Sequence, residues 1–149
     1  MPRVHVELSV DAPVDACWDA VTDVESFAEA MDDVNSVKIL EQSSPDRRQT
    51  AWSVQLKGSV LEWVESESID HASRRFEFHQ VQGDLACFAG LWTVCTADSG
   101  TSLITLDVEF DIGIPLLEDM LNPVATRALR DNSAQMLAAL ERRLTGQPR

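Results

Sequence analysis

The chain has 149 residues, a length typical of one domain, and its 44% hydrophobic content excludes an intrinsically disordered protein. Twenty-five acidic residues against twelve basic ones give a formal charge of −13, a field that repels nucleic acid and anionic membrane surfaces. No run approaches the length of a membrane-spanning segment and no signal-peptide pattern opens the sequence, so we expect one soluble domain without membrane insertion, a monomer or homodimer.

The chain begins with a predicted strand and two predicted short helices. From Arg3 to Val10, apolar residues occupy every second position, which is typical of a half-buried strand. Asp11 and Ala12 end this strand, and Pro13 suits the first turn of the helix that follows. Asp23 is predicted to cap a second short helix.

From residue 35 to residue 112 the hydrophobic period is two, which predicts consecutive antiparallel strands joined by short turns. The predicted strands are Ser36–Gln42, Thr50–Lys57, Val60–Ser68, Arg74–Gln82, Leu85–Thr96 and Ser102–Ile112. A long amphipathic helix is predicted from Pro115 to about Leu144, bent near Pro123, with Val124 on its apolar face. This order predicts an α+β fold, in which a curved antiparallel sheet of six to seven strands wraps around the C-terminal helix.

The space between such a sheet and one helix is filled by bulky side chains or by a ligand. Alternation predicts one inner face with three tryptophans, four phenylalanines and three polar residues. Its members are Trp52, Val54, Leu56, Leu61, Trp63, Glu65, Glu67, Phe76, Phe78, Gln80, Phe88, Gly90, Trp92, Leu106, Val108 and Phe110. Two interpretations stay open: an aromatic core with its acids at a solvated rim, or an apolar pocket with polar groups at its mouth.

The side chains predicted to bind a hydrophobic small molecule come from this face and from the long helix. They are Trp52, Trp63, Phe78, Phe88, Trp92, Leu106, Val108, Phe110, Met120 and Asn132. Asn132 is a candidate to orient a ligand carbonyl, although a position on the helix surface fits it equally well.

Three stretches carry an ordered set of motifs. They are VELSVDAPVDACWDAVTDVESFAEAMDDVNSVKILEQ, VLEWVESESIDHASRRFEFHQVQGDLACFAGLWTV and GTSLITLDVEFDIGIPL. Together they resemble the polyketide cyclase/dehydrase branch of the START-like (SRPBCC, helix-grip) superfamily, from about Val4 to Leu144. The resemblance implies the helix-grip fold and no metal or other cofactor. It also implies similarity to the aromatase/cyclases of polyketide biosynthesis, which direct aldol ring closure and dehydration of a poly-β-ketone.

The sequence departs from that family at three polar positions. Glu67 stands at the position of a family arginine, Val34 at that of a tyrosine, and Gln80 at a further basic position. Two functions therefore remain open. One is a cyclase/dehydratase acting on a poly-β-keto thioester presented by an acyl carrier protein, and the other is a non-catalytic carrier of a lipid or quinone.

Three residues are candidates for the cyclase chemistry. We predict Glu67 as the base that enolises a β-ketone, with Glu65 on the same strand face coupled to it by like charge. Gln80 is predicted to donate to a carbonyl. Alternating Glu and Ser at a strand end is also typical of a solvated hairpin.

Arginines near the ends of the elements are predicted to offset the acidic surface where a carrier protein docks; they are Arg3, Arg47, Arg48, Arg127 and Arg130.

Histidines and cysteines give no sign of a metal site. His5, His71 and His79 are expected at the surface and form no compact cluster with cysteine or aspartate. The three cysteines, Cys17, Cys87 and Cys95, form no CxxC pair and are expected to be reduced core residues, which favours a cytoplasmic location.

Overall fold

The computed structural model describes residues 3–56, 59–97, 100–111 and 118–146. Within these ranges the helices and strands follow one another in the order that the hydrophobic periods predict. They are β1 (Arg3–Val10), α1 (Val14–Thr22), α2 (Ser26–Ala30), β2 (Val34–Ser44), β3 (Arg47–Leu56), β4 (Ser59–Asp70), β5 (Arg75–Gly83), β6 (Cys87–Thr96), β7 (Ser102–Asp111) and α3 (Glu118–Thr145). The seven strands form one sheet in the order β1-β7-β6-β5-β4-β3-β2.

Every neighbouring pair in this sheet is antiparallel, which confirms the predicted α+β fold. Strands β2 to β7 follow one another as a meander, and β1 closes the order beside β7. The predicted ends at Lys57, Ile112 and Pro115 lie outside the described residues.

The predicted helix cap at Asp23 is wrong. Asp23 ends α1, and α2 begins three residues later at Ser26. The Asp23 carboxylate instead accepts a hydrogen bond from Arg143 of α3 at 2.9 Å. Its backbone carbonyl accepts the backbone N–H and the hydroxyl of Ser26. The Asp23 carboxylate is thus bound by a residue 120 positions away in the sequence. A contact at that distance along the chain is not indicated by any local sequence pattern.

Helix α3 covers the concave face of the sheet, packing against β1, β7, β3 and the two short helices. Its buried residues include Leu129, Met136, Leu137 and Leu140. Val124 was predicted on the apolar face of this helix, but it is 52% exposed, so the prediction is wrong for this residue. Near Val124 the buried face of α3 is narrower than the sequence pattern indicates. Pro123 lies inside the helix. In the described part of the chain, no helix is long and apolar enough to cross a membrane.

Strand β7 illustrates how alternation builds the core. Ser102, Ile104, Leu106, Val108 and Phe110 are all buried, whereas the residues between them are at least partly exposed. Burying each large apolar side chain of this kind contributes roughly 1.5–3 kcal/mol. The burial of these apolar side chains therefore determines which face of the sheet points inward. It also determines that Glu65 and Glu67 of β4 point to that inner face.

Candidate functional site

A small cavity lies between the inner face of the sheet and α3. Its lining is apolar except for Glu65, Asn132 and Ser133. The lining consists of Val24, Val34, Trp52, Val54, Trp63, Glu65, Phe76, Phe78, Phe88, Trp92, Leu106, Val108, Leu129, Asn132, Ser133 and Met136. The cavity measures about 40 Å³, and a single water needs about 10–15 Å³ on the same measure. The space holds a few waters, and a larger ligand enters only if side chains move.

Eight of the ten residues predicted to bind a ligand line this cavity, and their role in binding stays a prediction. The two others are Phe110, which is fully buried in the core and absent from the lining, and Met120, whose side chain lies outside the described residues. The prediction missed Leu129, Ser133 and Met136 of α3. With Asn132 these residues follow helical spacing, and that spacing was the signal that identifies them.

Two glycines make room for the aromatic wall. Gly83 is paired with Trp63 across β4 and β5, and a Cβ there would collide with the Cβ of Trp63. Gly90 is paired with Phe78 across β5 and β6, and a Cβ there would collide with the Phe78 ring. The absence of a side chain leaves room for the Cβ of Trp63 beside Gly83 and for the Phe78 ring beside Gly90.

The aromatic rings contact one another around the cavity. Trp52 and Trp63 are stacked, with ring centroids 5.8 Å apart and planes only 4° from parallel. The ring of Phe88 lies 5.1 Å from that of Trp63 and 5.7 Å from that of Phe78. This continuous contact packs the rings closely and leaves little free volume between them.

A β-bulge determines what stands opposite Glu65. Trp63 pairs with Gly83 and Val64 with Gln82, but Glu65 pairs with Gln80, so Val81 is an extra residue on β5. Bulges bend a strand and re-aim the neighbouring side chains. Here the bulge lies beside the one carboxyl group that reaches the described cavity.

Glu65 is a buried acid, only 3% exposed. The indole N–H of Trp63 donates to Glu65 Oε1 at 2.8 Å. Burial raises the pKa of Glu65 well above its ordinary value, and a hydrogen bond with Glu67 and the charge of Glu67 raise it further. The carboxyl that faces the cavity is therefore favoured in its protonated, neutral form.

Glu67 lies next to Glu65 but outside the cavity lining. Its Oε1 accepts the Arg48 Nε–H at 2.5 Å, and its Oε2 accepts the Thr50 hydroxyl at 2.7 Å. Thr50 in turn accepts the indole N–H of Trp52 at 2.9 Å. Since both oxygens of Glu67 act as acceptors, one of them from a guanidinium, the geometry is that of an ionised carboxylate.

The interpretation that these acids lie at a solvated rim is wrong, because Glu67 is 1% exposed and Glu65 is 3% exposed. Arg48 compensates the charge: its other end donates to the Thr22 carbonyl at 2.7 Å and lies over the Phe76 ring. Arg48 is itself only 9% exposed, so it is not available to bind a carrier protein at the surface. The prediction of a docking role is wrong for this arginine.

Two buried amide atoms have no hydrogen-bond partner among the described residues: Asn132 Nδ2 and Gln80 Oε1. Asn132 lines the cavity, so its unpaired amide is available to a ligand. Gln80 does not line it, and its amide N–H donates to the Leu85 carbonyl at 2.6 Å. The predicted donation from Gln80 to a ligand carbonyl therefore has no support in this geometry.

The remaining polar residues lie away from the cavity. His5, His71 and His79 are exposed, as predicted. Cys17 is buried and Cys87 half-buried, but Cys95 is exposed, so the prediction of three core cysteines is wrong for Cys95. In the ranges that the structure describes, no group of three His, Cys, Asp or Glu side chains is arranged to hold a metal ion.

Known structures share this architecture. The protein TTHA0849 from Thermus thermophilus is 21% identical with a TM-score of 0.90, and the match covers 97% of this chain and 98% of that one. The Zhui aromatase/cyclase from Streptomyces sp. R1128 is 22% identical with a TM-score of 0.79, covering 95% and 94%. A START superfamily protein from Mycobacterium smegmatis is 16% identical with a TM-score of 0.81, covering 97% of each chain. At these identities the similarity shows the fold alone.

No curated protein sequence matches the chain significantly. A family model described as polyketide cyclase / dehydrase and lipid transport matches residues 10–137. That match covers most of the chain, and the sheet that encloses the cavity belongs to the same helix-grip architecture as the START-like structures. The chain therefore belongs to the polyketide cyclase/dehydrase and lipid transport family.

Proposed function

We propose that this protein binds a β-keto compound in the cavity and promotes its aldol cyclisation and dehydration, with Glu65 as the general acid–base group. The observation that carries the proposal is that two of the three polar residues in the lining are a carboxyl favoured in its neutral form, that of Glu65, and an unpaired amide, that of Asn132. A buried donor without a partner costs roughly 1–3 kcal/mol. A ligand carbonyl that accepts from Asn132 would recover that energy.

The chemistry needs one carboxyl group and no cofactor. In the ring closure, the enol carbon of one β-keto unit forms a bond to a second carbonyl carbon. The neutral Glu65 gives its proton to the new alkoxide oxygen and takes the enol O–H proton with its other oxygen, so no net proton is consumed. In the dehydration, Glu65 protonates the departing hydroxyl, which leaves as water, and its carboxylate then removes the α-proton.

Asn132 has a separate role in this proposal. It lines the cavity from α3, whereas Glu65 lines it from β4, so the two groups bind a substrate from opposite elements. Its amide N–H would polarise the carbonyl under attack, the task of an oxyanion-stabilising donor. An acyl carrier protein would present the substrate; four of the arginines predicted to attract it (Arg3, Arg47, Arg127 and Arg130) are exposed.

The test compares Glu65→Gln with Glu62→Gln, a matched variant of an exposed glutamate on the same strand. The substrate is a short poly-β-keto thioester of N-acetylcysteamine, and mass spectrometry follows the loss of water. We expect Glu65→Gln to lower the rate by about 10²–10⁴-fold, with ligand affinity unchanged within a few-fold. Glu62→Gln should match the wild type. Turnover by Glu65→Gln at the wild-type rate would contradict the proposed role of Glu65.

A non-catalytic carrier of a hydrophobic molecule is the second candidate. The observation in its favour is Val34, which lines the cavity at the position of the family's tyrosine, in a chain that contains no tyrosine. In that case the wild type would bind the same substrate and release it chemically unchanged. The rate of the wild-type protein in the same assay separates the two candidates.

A further inference from the structure

The proton of Glu65 lies on the side of its carboxyl group that faces Glu67. The indole N–H of Trp63 donates to Glu65 Oε1 at 2.8 Å, and the carboxyl groups of Glu65 and Glu67 are hydrogen-bonded to each other. Two carboxyl groups share a hydrogen bond only if one of them carries a proton. Glu67 already accepts a hydrogen bond on each of its oxygens, from Arg48 and from Thr50. The shared proton therefore belongs to Glu65, and since Oε1 accepts from the indole, Oε2 carries it.

Thr50 holds the two carboxyl groups together. In the register of β3 and β4, Thr50 lies directly opposite Glu65, whereas Arg48 lies opposite Glu67. The Thr50 hydroxyl nevertheless donates to Glu67 Oε2, at 2.7 Å. This diagonal hydrogen bond draws the Glu67 carboxylate toward the position of Glu65. The pairing of β3 with β4 thus supports the contact between the two acids.

The two oxygens of Glu65 face different surroundings. Trp63, the partner of Oε1, lines the cavity, but Glu67, the partner of Oε2, does not. Oε1 is therefore the oxygen available to a ligand, and it carries no proton. A neutral carboxyl group that takes a proton at Oε1 has to give up the proton on Oε2. The acceptor beside Oε2 is the Glu67 carboxylate.

We propose that Glu67 is a positioning residue that receives the proton of Glu65 during enolisation and so lets the neutral Glu65 act as a base. This inference rests on the proposed function for its β-keto substrate. As the α C–H bond breaks, its electron pair forms the C=C bond of an enolate, and the α-proton bonds to Glu65 Oε1. The Oε2–H bond breaks in the same step, and its proton passes to Glu67. The negative charge thus moves from Glu67 to the enolate oxygen, so only one of them is charged at a time.

The return of the proton completes the step. Glu67 gives its proton back to Glu65 Oε2, and the proton on Oε1 moves to the enolate oxygen. This transfer gives the enol from which ring closure starts and leaves both carboxyl groups as they were. One proton has moved from carbon to oxygen, and none has been consumed.

The charges around Glu65 determine the direction of the expected pH effect. Among the described residues, Glu67 of the same strand and Arg48 of β3 are the charged groups that act on Glu65. The polar residues that other elements bring to this site, Gln80 opposite on β5 and Asn132 on α3, carry no charge. Burial raises the pKa of Glu65 most, Glu67 raises it further by its hydrogen bond and its charge, and Arg48 lowers it by less. Removing the charge of Glu67 should therefore lower the pKa of Glu65.

The first test uses infrared spectroscopy and needs no substrate. The C=O band of a protonated carboxyl group that is present in the wild type and missing from Glu65→Gln belongs to Glu65, and its loss with rising pH gives a titration midpoint. Glu67→Gln removes the charge but keeps an oxygen that accepts from Arg48, so it should lower this midpoint. Glu62→Gln, which changes an exposed glutamate of the same strand, should leave it unchanged. An unchanged midpoint in Glu67→Gln overturns the inference.

The second test measures the proton transfer itself. In heavy water, NMR follows the exchange of the α-protons of the N-acetylcysteamine β-keto thioester, which enolisation alone produces. Glu67→Gln should slow the protein-catalysed exchange by about 10²-fold, with thioester affinity unchanged within a few-fold. Equal exchange rates in Glu67→Gln and wild type, with a shifted infrared midpoint, would contradict this inference alone. Exchange by the wild type no faster than in buffer would contradict the proposed function as well.

A second variant covers the case in which Glu67→Gln does not fold because Arg48 is left unpaired. Arg48→Met/Glu67→Met removes both charges of the pair and leaves no uncompensated charge. Both measurements should change in the same directions as in Glu67→Gln, because Arg48 affects the pKa of Glu65 less than Glu67 does. A wild-type midpoint or a wild-type exchange rate in this double variant overturns the role of Glu67.

Discussion

Replacing Arg48 by Met should destabilise the protein strongly. The ion pair between Arg48 and Glu67 is almost wholly buried, with 8% of the Arg48 side chain and none of the Glu67 side chain exposed. Removing one partner of such a pair leaves an uncompensated buried charge, which costs about 3–5 kcal/mol. For a chain of this length, that cost lowers the melting temperature by about 6–20 °C.

The chain offers a matched control in a second arginine ion pair. Arg143 pairs with Asp23 at 2.9 Å, but the two side chains are 45% and 50% exposed. Solvent screens such a pair, so Arg143→Met should cost less than about 1 kcal/mol. Urea unfolding at neutral pH, followed by tryptophan fluorescence, measures both variants against the wild type. Equal costs for Arg48→Met and Arg143→Met would show that the position of Arg48 in this structure is wrong.

The double variant Arg48→Met/Glu67→Met separates the value of the pair from the cost of breaking it. Apolar replacement of a whole buried pair is often neutral or stabilising. The double variant should therefore be more stable than Arg48→Met alone, although Thr50 then loses its acceptor at Glu67. The single variant Glu67→Met completes the comparison: if the costs of Arg48→Met and Glu67→Met simply add in the double variant, the two charges do not interact.

Two further predictions concern the same face of the sheet. The pKa of Glu65 is raised in the folded protein above the ordinary value of 4.5, so its contribution to stability is fully present below that pH and is lost as the pH rises toward the raised value. The stability of the wild type relative to Glu65→Gln should therefore fall in urea titrations as the pH rises above 4.5, and a constant difference would contradict the burial of this acid. Gly90→Ala should lower the free energy of unfolding by about 1–3 kcal/mol through overpacking, because the new methyl group meets the Phe78 ring and the Asp107 carbonyl oxygen. If the variant unfolds at the same urea concentration as the wild type, the close approach of Phe78 to Gly90 is excluded.

The fold was predictable because the hydrophobic period changes where the secondary structure does. A period of two identified β2 to β7, and helical spacing identified α3. The pairing of Arg48 with Glu67 was missed because the predicted third strand began at Thr50, whereas the strand begins at Arg47. Arg48, Thr50 and Trp52 share one alternation phase, so extending the strand by two residues would have placed Arg48 on the inner face.

The choice between Glu65 and Glu67 could not be made from the sequence. Both lie on the same face of β4 and both are buried. What separates them is the register of the neighbouring strands, which places Arg48 opposite Glu67 and Gln80 opposite Glu65 beside the bulge. Alternation gives the face of each residue but not its partner across the sheet.

The partner across the sheet also explains how the chain accommodates glutamate where the resemblance predicts arginine. The guanidinium is not lost from this part of the sheet but is supplied by Arg48 on β3, where it is directly opposite Glu67. Burial raises the pKa of Glu65, and the nearby Glu67 carboxyl group, which accepts hydrogen bonds from Arg48 and Thr50, raises it further. The charged groups of Arg48 and Glu67 therefore lie outside the cavity lining, and the carboxyl group inside it is favoured in its neutral form. A cavity with that lining favours neutral ligands that hydrogen-bond over anionic ones, whose charge would lie close to the Glu67 carboxylate.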